Sequence, residues 1–171
     1  VTAYRTIVLG IGNILNRDEG VGVHAVEALQ AHLSPSPDGR MFHQERALGP
    51  EVEFLDGGTL GLNLLPIVEE SSHLLILDAV DAGQPPGTVI ELARDEIPLL
   101  TGIKLSQHQV TFQEVLGLAA VRGKLPSHLH LIGVQPADLD IGVDLSPAVA
   151  AALAEVIRRA TAVLGAWGLG S

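Results

Sequence analysis

The sequence predicts an α/β protein built on a mixed, mostly parallel sheet, and three observations carry that prediction. Ile7-Val8-Leu9 is an apolar run that reads as a buried central strand. It passes through Gly10 and Gly12 and the acid pair Asp18-Glu19 into a helical pattern, the strand–turn–helix crossing where open α/β sheets put their ligand sites. Leu74-Leu75-Ile76-Leu77 is the most apolar run and belongs at the sheet centre. Thr88-Val89-Ile90-Glu91-Leu92 follows it too soon for a crossover helix, so that strand should run antiparallel to its predecessor.

The first crossing is not a nucleotide loop. Gly10-x-Gly12 opens like a dinucleotide fingerprint, but Leu15 stands where the third glycine belongs, and no Gly-Lys-Ser/Thr follows. Two carboxylates beside a helix N-terminus repel phosphate and suit a cation. The plainer reading is that Asp18 caps the helix and Glu19 favours its dipole.

At 171 residues the chain is expected to be one domain spanning 1–171, with a sizeable core. Hydrophobic residues at 47% against 18% charged place it among globular chains. A net charge of −10 argues against nucleic acid or an anionic membrane as partner. The absence of cysteine removes disulfides, thiolate metal sites and cysteine nucleophiles. No signal peptide is visible and no apolar stretch reaches the ~20 residues of a membrane span, so a cytoplasmic protein is expected.

The first helix should run from Asp18 to Leu33, with Val21, Ala25, Val26, Leu29 and Leu33 as its stripe. His24 and His32 flank that stripe and read as boundary histidines. Ser34 to Pro50 has no period and reads as a surface insertion. Val52 to Asp56 is a second strand running into Gly57-Gly58-Thr59. A short helix should follow on Leu60, Leu64, Leu65 and Val68, with Pro66 near its start. Leu74 to Leu77 ends in Asp78, and an acid there needs a reason, because a buried unpaired carboxylate is costly.

Ser106-Gln107-His108-Gln109 has the spacing of a capping box, with Phe112, Val115, Leu116 and Ala119 continuing at helical intervals. Leu129 to Val134 is the last strand, broken by Pro136. His128 and His130 share one strand face; a metal pair is conceivable, but a covering helix makes them structural. Ser146 should cap the final helix, with Pro147 in its first turn and Gly168 at its stop.

Three segments then point to one place. Glu19 follows the first strand, Asp78 ends the central one, and His108 opens a helix. If the two strands are parallel neighbours, both acids lie at one carboxyl edge. His108 joins them provided its helix starts at that edge. Two carboxylates and an imidazole suit zinc, nickel, manganese or iron, and three ligands leave positions open for an exchangeable ion. At a helix N-terminus the imidazole stays neutral and able to ligate.

Gly10-Ile11-Gly12-Asn13-Ile14-Leu15-x-x-Asp18-Glu19-Gly20-x-Gly22 resembles the N-terminal signature of the hydrogenase maturation proteases. The similarity continues in order through Asp56-Gly57-Gly58-Thr59-x-Gly61, Leu77-Asp78-Ala79-Val80, Pro86-Gly87-Thr88, Ser106-x-His108-Gln109 and Gly133-Val134-x-Pro136. The resemblance implies a three-layer α/β/α sandwich on a mixed, mostly parallel sheet of about five strands. It implies an endopeptidase that removes the C-terminal extension of the [NiFe] hydrogenase large-subunit precursor, with nickel in the precursor as the signal. Glu19, Asp78 and His108 would be the metal ligands. Asp78 and Asp56 would be the catalytic acids of an aspartic or metal-assisted mechanism. A nickel-binding chaperone without peptidase activity would keep the same ligands, and an unrelated small-molecule enzyme could use the same scaffold.

Overall fold

Ile7, Val8 and Leu9 are fully buried in β1 (Thr6–Ile11), and Leu74 to Leu77 are equally buried in β3 (His73–Asp81). Strands apolar on both faces must be covered on both faces, and helices cover them here. The computed structural model describes residues 5–33, 52–97, 104–105 and 109–169. Ser34 to Pro50, His108 and the rest of the predicted capping box before Gln109 lie outside those residues.

The remaining strands are β2 (Val52–Gly58), β4 (Val89–Ala93), β5 (Lys104–Leu105) and β6 (His128–Val134). Helices are α1 (Val21–Leu33), α2 (Leu65–Glu70), α3 (Gln109–Val121) and α4 (Pro147–Ala166). The strand order is β2-β1-β3-β6-β4, with β5 paired to the end of β3. β2, β1, β3 and β6 are mutually parallel, and β4 is antiparallel to β6.

Side chains of successive strand residues point to opposite faces. Val8, Leu75, Leu77 and Ile132 therefore meet α1 and α4, while Ile7, Leu9, Ile76 and Leu131 meet α2 and α3. This is the three-layer sandwich on a mixed, mostly parallel sheet. Among the described residues, no helix is long and apolar enough to cross a membrane.

Several details depart from the sequence reading. β4 has the expected direction but lies beside β6, not β3, because β6 is inserted between them. The short β5, paired through Leu105 to Val80 and Lys104 to Asp81, was not foreseen. α1 starts at Val21, after a separate 3-10 turn over Arg17–Gly20. Pro66 falls in the first turn of α2, as expected. His128 stacks on His73 with ring centres 4.0 Å apart, and His130 hydrogen-bonds Glu91 at 2.7 Å, so the two have separate structural partners.

Candidate functional site

β1 is followed in space by β2 on one side and β3 on the other. Chains leaving the carboxyl ends of these strands part at that point and leave a crevice. β1 pairs with β3 only as far as Gly10 opposite Leu77. β3 continues for four more residues, so Asp78 is the first residue past its β1 neighbour.

The turn out of β1 returns to this crevice by close packing. Gly12 has φ +128, and a side chain there would collide with the Glu19 carbonyl. Gly22, the second residue of α1, packs against the Leu77 carbonyl and Ile11 with no room for a Cβ. These contacts hold the 3-10 turn and its Glu19 over the end of β3.

Asp78 and Glu19 are both buried, at 2% and 5% exposure. Asp78 Oδ1 accepts a hydrogen bond from the Ala79 N–H at 2.6 Å. Its Oδ2 is buried and has no hydrogen-bond partner among the described residues. Burial pushes the Asp78 carboxyl well above the usual carboxylate range; the Ala79 bond opposes this, and the nearby charge of Glu19 adds to it. Two acids brought together out of water, one with an orphaned oxygen, form a donor set suited to a divalent cation. A bound cation reverses the local balance by favouring the ionised form.

His108 lies outside the described residues. β5 ends at Leu105, paired to Val80 at the carboxyl end of β3, and α3 begins at Gln109. The chain on either side of His108 is thus anchored at that edge and on the face of α3. Asp78 shares that face, since it alternates with Ile76 and Val80 of the α2–α3 core.

Asp56 stands elsewhere. It is exposed at the end of β2, opposite Gly10, and Gly10 is opposite Leu77. Two strand spacings put its Cα on the order of 10 Å from that of Leu77, and its register gives it the α1–α4 face rather than the face of Asp78. Its Oδ1 accepts from the Gly58 N–H at 2.8 Å and shapes the turn, where Gly58 has φ +45.

The plainer reading of Asp18 also changes. Asp18 does not cap α1. It is fully buried and accepts from the N–H groups of Ala137 and Asp138, both at 2.9 Å, and of Ser146 at 2.7 Å. The Ser146 hydroxyl adds a bond at 2.8 Å, so Ser146 makes no side-chain cap of its own. Burial works to raise the Asp18 carboxyl, but these four donors hold it below its ordinary value. Gln135 was also missed: its Oε1 accepts from Ala82 at 2.8 Å and Gln84 at 3.2 Å, fixing the turn after β3. A polar residue closing an apolar strand before Pro136 was the available signal.

Residues 23–163 match a family model described as hydrogenase maturation protease. The chain belongs to the hydrogenase maturation protease family. It is 43% identical over 167 residues to the hydrogenase expression/formation protein HupD of Rhodobacter capsulatus, covering 96% of this chain and 73% of that protein. It is 38% identical to the hydrogenase 2 maturation protease of Escherichia coli, covering 94% and 90%. The solved hydrogenase maturating endopeptidase HybD from E. coli superposes with a TM-score of 0.79 at 36% identity, covering 96% of this chain and 94% of that one. As a family member the protein is a peptide hydrolase of hydrogenase maturation. The region matched by the family model contains Asp56, Asp78 and His108, while Glu19 precedes it.

Proposed function

We propose that this protease removes the C-terminal extension of a [NiFe] hydrogenase large-subunit precursor, and that it recognises the precursor by the nickel already bound there. The observation that carries the reading is the buried Asp78 carboxyl, with an unpartnered Oδ2 and Glu19 close enough to raise its pKa. Glu19, Asp78 and His108 would hold the precursor's nickel, which is thus part of the substrate. When bound there, the ion supplies Lewis acidity toward a carbonyl or a water.

The chain's own residues supply the rest. Ala79 N–H engages Asp78 Oδ1, which leaves the buried Oδ2 as the oxygen without a partner among the described residues. With the precursor's ion held there, the Asp78 carboxylate would stay ionised, the form that can accept a proton. As general base, Asp78 takes a proton from water while the water oxygen bonds to the scissile carbonyl carbon. It returns that proton to the leaving nitrogen as the C–N bond breaks. Asp56, on the other face of the sheet edge, then serves the substrate-binding flank rather than a shared-proton dyad with Asp78.

The test is incubation of purified protease with precursor prepared nickel-loaded and nickel-free, read by mass spectrometry. C-terminal mass loss confined to the loaded precursor is expected. Equal cleavage of both would show that the ion is not the signal. Binding of the loaded precursor with no mass loss would fit a nickel-binding chaperone instead.

A further inference from the structure

Five of the nine exposed large apolar side chains among the described residues stand on two loops beside Glu19. Ile14 and Leu15 precede its 3-10 turn; Leu139, Ile141 and Val143 lie between β6 and α4. Two more follow β2 at the same edge. The first two loops form one surface. Asn16 and Gly142 make a parallel bridge, the Gly142 N–H donates to the Leu15 carbonyl at 2.9 Å, and Asn16 Nδ2 donates to the Leu139 carbonyl at 3.2 Å. Asp18 pins both loops from beneath through Ala137, Asp138 and Ser146. The apolar side chains therefore project from backbone that is fixed before any partner arrives. Single exposed apolar residues need no explanation, whereas a group gathered beside a reaction site marks a contact surface.

The charges of the same loops select the occupant. The β6–α4 loop carries Asp138, Asp140 and Asp144 and no cation. Arg17 of the first loop already lies 3.5 Å from Asp138. An anionic lipid surface is repelled by such a patch. A second copy of the chain in a two-fold contact would set these acids against themselves. We propose that this surface docks an apolar segment of the substrate protein that carries lysine or arginine, and holds it beside the bond to be cut. The inference rests on the peptidase reading above and adds the chemistry of the segment recognised.

The test uses the full chain and a nickel-loaded precursor. Affinity is measured by biolayer interferometry for wild type, for Leu15→Ser with Ile141→Ser, for Asp140→Asn with Asp144→Asn, and for Val121→Ser. Val121 is 87% exposed on α3, away from these loops. The apolar double variant should bind about tenfold or more weakly. The aspartate variant should bind more weakly at low salt only, and Val121→Ser should match wild type. Unchanged affinity in the apolar variant, or equal loss in Val121→Ser, overturns the proposal. So does binding to phosphatidylserine vesicles, or a wild-type dimer in sedimentation that the apolar variant loses. Wild type that binds the precursor without cutting it defeats the peptidase reading alone, with docking still judged on the affinity ratios. Wild type that does not bind the precursor defeats both.

Discussion

The Asp18 carboxylate accepts both the backbone N–H and the hydroxyl of Ser146, at 2.7 and 2.8 Å, across 128 residues of chain. It thereby ties the turn that carries Glu19 to the start of α4. Asp18→Asn keeps the volume but turns a donor group toward N–H donors. We expect a loss of about 1–3 kcal/mol in urea unfolding, the usual cost of stranding buried polar groups, together with weaker cleavage. A variant with wild-type stability would mean that the four bonds contribute nothing net.

Asp78→Asn should behave in the opposite way toward the fold. The amide removes a carboxyl whose ionisation is opposed by burial and by Glu19. The metal-free variant should therefore be at least as stable as wild type at pH 7, while cleavage falls by about 10²-fold or more. Urea unfolding and mass spectrometry of the precursor read the two effects separately.

Stability should also fall on mild acidification because of His73. Its ring is half-buried against His128, and burial first, then the charge of His128, lowers its pKa from the ordinary 6.5. The folded state thus binds fewer protons than the unfolded one. The contribution is full above 6.5 and is lost as pH falls through the lowered folded value. Unfolding midpoints between pH 7.5 and 5 should drop more steeply for wild type than for His73→Phe.

Two glycines make a paired test of packing. A methyl at Gly22 meets the Leu77 carbonyl and Ile11, so Gly22→Ala should cost about 3 kcal/mol or more and displace Glu19. At Gly165 in α4 a methyl would have no neighbouring atom within 4 Å, so Gly165→Ala should gain about 0.5–1 kcal/mol from helix propensity. Thermal unfolding of both variants checks the sign of each.

Much of this was legible in the chain. Leu74 to Leu77, the glycines after β1 and the Ser146-Pro147 start of α4 are local patterns. They gave a buried strand ending in Asp78, a strand–turn–helix crossing and a final helix, while the layered sandwich came from the family resemblance. Glu19 and Asp78 were expected together on the condition that β1 and β3 are parallel neighbours, which they are, and both acids are buried at that edge. What escaped was non-local. The position of β4 depends on a strand that comes later, and Asp18 depends on donors at Ala137, Asp138 and Ser146. A capping acid and an acid clamped by a distant loop look the same in sequence, since only tertiary contact tells them apart.

The insertion of β6 between β3 and β4 has a consequence for birth on the ribosome. Val89, which pairs with Val134, is synthesised 45 residues before its partner. Until the last strand emerges, β3 and β4 each show an unsatisfied edge, the template on which chains stick to one another. Ending translation before His128 should therefore yield aggregates rather than a smaller soluble sheet.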